Sequence, residues 1–264
     1  MNSRLYTIQS NAYLGLIFGL PAIAAFALFK VAVSIPLELL FGALAPFAYA
    51  VVFVAVAGLL SIPHQRGIVP GKFPRTLTNP VYRDRRLYGL CWTSVYYFKP
   101  VYYLCVTVPA LKAFTFRLFG YRGNLDFTIY ADTWVRDLPL LDFGRGAYLG
   151  NRATIGSNQC FGDRILVDRI TFEEGSELGH LAMVSPGVYV GKGAEIGAGA
   201  GVGLRAKIGA YSNIGPCSGI GHGVRLGDRV EIGAMCYVGN KSLLADSTVV
   251  PAGTILTKCA RDAA

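Results

Sequence analysis

The chain has few histidines and no paired cysteines. Only His64, His180 and His222 occur in its 264 residues. None of the six cysteines forms a Cys-x-x-Cys pair, so the sequence supports neither a zinc knuckle nor a dithiol redox motif. We therefore expect reduced thiols and no metal site. The sequence also lacks any motif for binding RNA or DNA, and we expect no nucleic-acid partner.

Acidic residues are scarce in the N-terminal half. Residues 1–138 contain 13 Lys and Arg against 5 Asp and Glu, or +8, whereas residues 139–264 contain 12 against 11, or +1, of the net +9. The long apolar runs lie in the same half as the positive charge. A half that is both basic and apolar indicates an anionic lipid surface as partner.

Two apolar runs, at 11–33 and 35–62, each reach the length of about 20 residues that spans a bilayer. The pattern continues almost without a break between them, which a cleaved signal peptide would not do. We predict a hairpin of two transmembrane helices over residues 1–62. The basic loop that follows, at 64–86, places the inner end of the hairpin in the cytoplasm by the positive-inside rule.

Residues 63–138 are predicted to form this basic loop and a set of aromatic helices. The stretch at 87–120 is apolar and rich in Trp and Tyr, with positive charge at both ends, which favours interfacial or re-entrant helices over a third span. Pro100 and Pro109 are expected to kink or break these helices. His64 lies in the basic loop, where we expect it to be solvated or to face lipid headgroups.

An aliphatic residue recurs every six positions from Leu178 to Val250, usually followed by Gly, in the pattern [LIV]-G-x-x-[STAV]-x. This period predicts a parallel β-helix of triangular section over residues 139–257, in about six turns. The aliphatic slot would fill the prism, and the Gly would allow a tight corner. The resemblance to hexapeptide-repeat proteins implies a left-handed form and a homotrimer with sites between neighbouring prisms. We expect a disordered tail at 258–264.

The repeat slips by one residue within NQCFGDRILVDRIT, at 158–171. A slip needs an altered corner or a small loop, which is either a structural irregularity or a loop that lines a binding cleft. The candidate substrate-binding residues in this segment are Gln159, Cys160, Asp163 and Arg164.

His180 and His222 occupy the same outward slot of the repeat, two residues after the aliphatic position. They are 42 residues apart, or seven units, which places them on different faces of one prism and roughly 11 Å apart along its axis. In a trimer such sites could converge between chains. An outward imidazole near a subunit cleft can take a proton from an attacking amine or hydroxyl, so both histidines are candidate general bases. A surface residue of the repeat is the alternative for each.

The aromatic lead-in carries a more specific resemblance. The segments FPRTLTNPVYRDRRLYGLCWTSVYYFKPVYY, DLPLLDFGRGAYLG and PAGTILTK resemble the membrane-anchored hexapeptide-repeat region that ends ε-poly-lysine synthetase-type nonribosomal peptide synthetases. The resemblance implies transfer of an acyl or aminoacyl group from a pantetheine thioester, on a carrier protein or coenzyme A, to an amine or hydroxyl at the membrane. Where some family members have Thr-His-x-Phe-Glu-Asp-Arg, this chain has Gln159 at the histidine.

We therefore expect an inner-membrane acyltransferase whose β-helix lies on the cytoplasmic side, with no bound cofactor. Either His180 or His222 would replace the missing histidine, or Cys160 would act as a nucleophile. The alternative is a platform that binds a carrier protein or synthetase without reacting, its basic loop docking the acidic carrier. A γ-type carbonic anhydrase would need three zinc histidines at a subunit interface and is disfavoured.

Overall fold

The computed structural model describes residues 3–31 and 35–257. The chain divides into a helical unit, Met1–Ile68 with Arg75–Gly120, and a solenoid unit, Val69–Pro74 with Tyr121–Ala264. The tail predicted at 258–264 lies outside the described residues.

The described residues of the helical unit form five helices: α1 (Ser3–Lys30), α2 (Ile35–Gln65), α3 (Pro80–Tyr97), α4 (Lys99–Thr107) and α5 (Pro109–Leu118). Among the described residues, α1 and α2 are the two single helices long and apolar enough to cross a membrane. The axes of α4 and α5 are bent by 109°, which fits a broken span or a re-entrant loop. Both helices have proline in their first turn, because proline fixes a helical φ there but cannot donate to a preceding turn.

The end of α2 differs from the sequence expectation. His64 is only 7 % exposed, so the prediction of a solvated histidine is wrong. Its ring is hydrogen-bonded to Asp84 on α3 and to Tyr13 on α1. Arg85, which was assigned to the basic loop, is 2 % exposed. The physical reason is that α3 begins at Pro80, so part of this segment is a packed helix.

The solenoid has three parallel faces and about seven turns, one more than predicted. We name each face by its outward side chains, described below. The acidic face contains β2 (Phe127–Ile129), β5 (Ala147–Leu149), β10 (Glu177–Leu178), β13 (Glu195–Ile196), β16 (Asn213–Ile214), β19 (Glu231–Ile232) and β22 (Val249–Val250). The apolar face contains β3 (Trp134–Val135), β6 (Thr154–Ile155), β11 (Met183–Val184), β14 (Gly201–Val202), β17 (Gly219–Ile220), β20 (Tyr237–Val238) and β23 (Ile255–Leu256). The basic face contains β4 (Leu141–Phe143), β9 (Ile170–Phe172), β12 (Tyr189–Val190), β15 (Lys207–Ile208), β18 (Arg225–Leu226) and β21 (Leu243–Leu244).

The repeat determines which side chains fill the prism. Its aliphatic residues from Leu178 to Val250 are buried, as predicted. The glycine that follows most of these residues serves a different purpose from the one expected. A Cβ on Gly197 would lie 2.6 Å from the carbonyl oxygen of Ile214 in the next turn, so glycine permits close stacking of the turns. The positive φ of the corner falls two residues later, for example at Arg229 with φ 55°.

The first turn begins before the predicted boundary at residue 139. Strand β2 starts at Phe127, and residues 121–138 belong to the solenoid unit rather than to the aromatic helices. Ile129 and Val135 fill the aliphatic slots of this turn, but Tyr130 and Arg136 follow them instead of glycine. The hexapeptide pattern is therefore invisible here, although the backbone adopts the same coil.

The phase slip is a β-hairpin, which we call the arm. Strands β7 (Asn158–Phe161) and β8 (Arg164–Val167) pair antiparallel around Gly162, whose φ is 54°. Strand β1 (Gly71–Pro74) extends the arm to three strands by pairing with β8. The arm lengthens the second turn. Leu149 pairs with Leu178, 29 residues later, whereas in a regular turn Ile196 pairs with Ile214, 18 residues later. The second turn is therefore 11 residues longer than a regular one. The slip is therefore an ordered hairpin.

Candidate functional site

The slot that His180 and His222 share has a structural role at the corners of the solenoid. His, Asp and Asn side chains in this slot accept a hydrogen bond from the backbone N–H of the corner one turn earlier. Asp228 accepts from Ala210 at 2.7 Å, and Asn240 accepts from His222 at 2.7 Å. His222 does the same through Nδ1, which accepts from the N–H of Leu204 at 3.0 Å. An imidazole, a carboxylate or an amide is therefore equivalent at this position as a cap.

His180 caps a corner in the same way but has aromatic neighbours. Its Nδ1 accepts from the N–H of Asn151 at 3.0 Å. Because Nδ1 is an acceptor, the proton of the neutral ring lies on Nε2. Nε2 has only a 3.5 Å contact with the hydroxyl of Tyr148, which is too long for a strong hydrogen bond. The exposed ring can therefore donate Nε2–H to a ligand.

Tyr148 and Tyr130 form a hydroxyl pair beside His180. The Tyr148 hydroxyl donates to the Tyr130 oxygen at 3.1 Å, and the two rings lie 6.2 and 6.1 Å from the imidazole. The bond to Tyr130, followed by desolvation and nearby charge, raises the pKa of Tyr148 to about 12. The Tyr148 phenol therefore acts as a neutral hydrogen-bonding group at neutral pH. Sequence reasoning missed both tyrosines because they belong to turns whose repeat is irregular.

A cleft of about 370 Å³ lies at the base of the arm, on the apolar face. Trp134, Thr154 and Met183 come from three successive strands of that face, and Gln159 comes from the arm. The remaining lining residues are Arg136, Gly156, Asn158, Val184, Ser185 and Pro186. His180 is outside the lining but lies at the corner that leads into β11, three residues before Met183. A mixed polar and apolar cleft of this kind can hold a small ligand.

A buried carboxylate fixes the arm at the cleft. Asp137 is fully buried, and its Oδ2 accepts from the hydroxyl of Ser157 at 2.6 Å and from the amide of Asn158 at 3.2 Å. Asn158 is the first residue of the arm, and Gln159 follows it directly. Because charged acceptors make the stronger hydrogen bonds, this contact orients the residue that precedes Gln159.

The structure separates the residues that the sequence nominated together. Gln159 lines the cleft, whereas Cys160, Asp163 and Arg164 lie farther out on the arm and are exposed. His180 follows β10 in the third turn, between the acidic and apolar faces. His222 follows β17 in the fifth turn, between the apolar and basic faces, about 10 Å farther along the axis. The two histidines thus occupy different corners, as the spacing predicted.

Two faces of the solenoid carry ladders of like charge. Glu177 stacks on Glu195 in adjacent strands of the acidic face, and Glu231 points outward two strands later. Lys207 stacks on Arg225 in the basic face. All five side chains are exposed, and within the described residues none of them forms an ion pair with another side chain. Like charges on adjacent strands destabilise a sheet unless something outside the sheet compensates them.

Comparison with known proteins bears on the repeat. Residues 205–240 match the sequence profile of the bacterial transferase hexapeptide (six repeats). No curated protein matches the chain. Solved structures that are similar to this chain include a perosamine N-acetyltransferase from Caulobacter crescentus, in complex with CoA and GDP-perosamine. The two sequences are 19% identical, and the match covers 54% of this chain and 60% of that chain with a TM-score of 0.29.

Two further solved structures come from Neisseria gonorrhoeae. One is the acetyltransferase domain of PglB in complex with acetyl coenzyme A, with 17% identity, coverage of 53% of this chain and 62% of that chain, and a TM-score of 0.28. The other is serine acetyltransferase in complex with serine, with 16% identity, coverage of 78% and 79%, and a TM-score of 0.32. The chain thus spans about three-fifths of the first two proteins. The matched profile identifies residues 205–240 as similar to bacterial transferase hexapeptide repeats, and these residues form part of the β-helix-like solenoid.

Proposed function

We propose that this chain is a membrane-anchored acyltransferase, which moves an acyl or aminoacyl group from a pantetheine thioester to an amine or hydroxyl. The observation that carries the proposal is an exposed imidazole, His180, with an available Nε2–H at the corner that leads into β11, the strand that contributes Met183 to the cleft. The hexapeptide profile, which is named for transferases, supports the reaction class. The apolar helices α1 and α2 would anchor the chain in the inner membrane, with the solenoid on the cytoplasmic side.

His180 would act as a hydrogen-bond donor to the reacting carbonyl. In the neutral tautomer that caps Asn151, Nε2–H can stabilise the oxyanion that forms when the amine attacks the thioester. This attack forms the bond between nitrogen and the acyl carbon; collapse of the oxyanion then breaks the carbon–sulfur bond, and the amine proton passes to the leaving thiolate. A general base at Nε2, as the sequence predicts, would require the tautomer protonated at Nδ1, and that tautomer could not accept from Asn151. The hydrogen bonding therefore favours the donor role.

Gln159 would bind the substrate in the cleft, where its amide offers both a donor and acceptors. Cys160, Asp163 and Arg164 would contact a larger partner at the exposed end of the arm, such as a carrier protein or a second copy of the chain. Either coenzyme A or a carrier protein can supply the pantetheine thioester, so no bound cofactor is required.

Charge complementarity supports a homotrimer. The acidic face of one solenoid, with Glu177, Glu195 and Glu231, would meet the basic face of the next, with Lys207 and Arg225. A contact between two different faces is heterologous, and a rotation of one third of a turn closes it into a ring. The apolar face with its cleft then remains outside that contact.

The experiment that tests this function uses the purified full chain in detergent micelles. Mixed acyl-pantetheine thioesters are added with a pool of amines and alcohols, and mass spectrometry is used to search for acylated product. A new amide or ester together with free thiol supports the proposal. If no thioester is consumed in any of the pools, the proposal is contradicted.

A non-catalytic platform is the second candidate, and one observation favours it. Both solenoid histidines are used as corner caps, a role that Asp228 and Asn240 fill without an imidazole. A platform would bind an acidic carrier protein through the exposed basic residues after α2. This alternative would be established by two results together. The wild type would bind the carrier protein without forming acylated product, and the double variant Arg66→Glu/Arg75→Glu would lose that binding.

A further inference from the structure

The helical unit contains a second histidine arrangement, made by residues from three helices. Asp84 of α3 lies with Oδ1 3.1 Å from Nδ1 of His64, at the end of α2. The other ring nitrogen, Nε2, lies 3.1 Å from the hydroxyl of Tyr13 on α1. A carboxylate, an imidazole and a hydroxyl thus stand in hydrogen-bonding sequence, and all three belong to the same compact unit.

The hydrogen-bond partners of His64 fix its tautomer. The Asp84 carboxylate can only accept, so Nδ1–H of His64 donates to it, and Nε2 keeps a lone pair. The Tyr13 hydroxyl donates to that lone pair. This is the reverse of the arrangement at His180 and His222, where Nδ1 is the acceptor. His64 is therefore the histidine whose described contacts suit it to take a proton at Nε2.

The surroundings of Tyr13 favour a developing negative charge on its oxygen. The amide of Gln9, one helical turn earlier, donates to the Tyr13 oxygen at 3.2 Å. A donor to the charged form of a group stabilises that form. His64 is 7 % exposed, so its interactions act in a medium of low polarity, where ionisable groups are retained mainly for function. Tyr13 itself is half-buried, which leaves its oxygen within reach of a reagent.

An apolar groove of about 370 Å³ lies on α1 and α3, the helices that carry Tyr13 and Asp84. Leu14 and Phe18 line it from α1, beginning at the residue after Tyr13. The lining residues from α3 are Leu90, Thr93, Ser94 and Tyr97, and Phe98, which follows α3, completes the lining. Helix α3 also carries Asp84, six residues before Leu90. A groove with mostly apolar walls on helices of membrane-spanning length suits a hydrocarbon chain.

We propose that Asp84, His64 and Tyr13 form an acyl-acceptor site, in which Tyr13 is acylated by a long-chain thioester. The Tyr13 oxygen forms a bond to the acyl carbon as the carbon–sulfur bond breaks; His64 takes the phenolic proton at Nε2 and returns it to the leaving thiolate. His64 and Tyr13 are the catalytic residues, and Asp84 is a positioning residue that holds the ring in this tautomer. The acyl chain occupies the groove at Leu14 and Phe18. The inference rests on the proposed function only for the thioester donor.

The test is acylation of the full chain in detergent micelles with decanoyl-coenzyme A. Peptide mass spectrometry locates the decanoyl group, and thiol release gives the rate. The wild type should carry the group on Tyr13, and Tyr13→Phe should carry none there. His64→Gln should acylate about 100-fold more slowly, since general-base catalysis contributes at least that factor. Asp84→Asn keeps an oxygen acceptor for Nδ1–H, so it should slow the reaction less than His64→Gln does.

Tyr6→Phe is the matched control. Tyr6 lies two helical turns before Tyr13 on the same side of α1, with its ring 5.3 Å from the guanidinium of Arg86. This variant should acylate Tyr13 at the wild-type rate. Thermal unfolding of each variant shows whether the fold is retained, and Tyr13→Phe keeps the ring that packs in this position.

Three results would overturn the inference: no decanoyl group on Tyr13 in the wild type, an unchanged rate in folded His64→Gln, or equal labelling of Tyr6 and Tyr13. Addition of an amine acceptor to the same samples measures turnover by the solenoid. Product on the amine without a decanoyl group on Tyr13 removes this inference and leaves the proposed function standing. A decanoyl group on Tyr13 without product on the amine supports this inference and contradicts the proposed function.

Discussion

Nδ1 of His222 accepts a hydrogen bond from the backbone N–H of Leu204, one turn earlier in the solenoid, at 3.0 Å. The N–H of His222 in turn donates to Asn240, one turn later. His222 is therefore one member of a ladder of corner caps, and Asp228 and Asp246 form a second ladder of the same kind at the corner after the basic face. The repeat itself gives a reason for a hydrogen-bond acceptor at this position.

Replacement of His222 should affect stability according to the acceptor that remains. His222→Ala leaves the Leu204 N–H to water and should lower the free energy of unfolding by about 0.5–1 kcal/mol. His222→Asn keeps an acceptor of the kind found at Asn240 and should unfold like the wild type. Thermal unfolding of the two variants measures the difference. Equal loss in both would show that the imidazole has a role other than capping.

Gln159 should contribute to substrate binding. Gln159→Ala removes an amide from the cleft and should raise KM for the thioester about tenfold with little change in kcat, as expected for one lost hydrogen bond. Arg169→Ala, which removes an exposed charge just after the arm, is the control and should leave both constants unchanged. Steady-state kinetics distinguish the two. A Gln159→Ala enzyme with wild-type KM would place the substrate elsewhere.

The cysteines should differ sharply in reactivity. Cys160 and Cys217 are exposed, whereas Cys91, Cys105 and Cys236 are buried, and all five are free thiols. Burial raises the pKa of Cys91 to about 12, so between pH 7 and 9 it remains a neutral thiol, and only the thiolate is nucleophilic. Maleimide should label Cys160 and Cys217 in the native protein and Cys91 only after unfolding. Peptide mapping checks this, and native labelling of Cys91 at pH 8 would contradict its packing. Cys259 lies outside the described residues.

The two charged faces should determine assembly. Glu195→Lys places a cation on the acidic face, and Lys207→Glu places an anion on the basic face; each should weaken the trimer roughly tenfold or more. The double variant restores one opposite-charge contact between neighbouring copies and should assemble better than either single variant. Light scattering after size-exclusion chromatography in detergent measures the mass. A trimer that neither single variant weakens would show that these faces are not the contact.

The sequence predicted the regular part of the fold well. Between Leu178 and Val250 each turn uses the same residue types for the same purpose, so one period specifies the coil. It could not predict the first turn, because Tyr130 and Arg136 stand where the pattern requires glycine. The start of the solenoid at Phe127 was therefore missed.

The candidate sites were only partly predictable, since they depend on contacts distant in sequence. Gln159 was nominated from the phase slip, and it lines the cleft. Tyr148 and Asn151 reach His180 only through the register that the arm sets. His64 and Asp84 are 20 residues apart, and Tyr13 is 51 residues from His64. No local pattern joins residues at such distances, so the sequence assigned His64 to the basic loop, solvated or facing lipid headgroups.

The most direct test of the proposed function compares His180→Asn with His222→Asn. Asparagine should cap both corners, so both variants should unfold like the wild type. Consumption of a pantetheine thioester with an amine acceptor is then measured in detergent micelles. We predict that His180→Asn loses about 100-fold or more of the turnover, because it lacks the Nε2–H that stabilises the oxyanion, whereas His222→Asn retains it. Wild-type turnover in a folded His180→Asn enzyme would contradict the role assigned to His180.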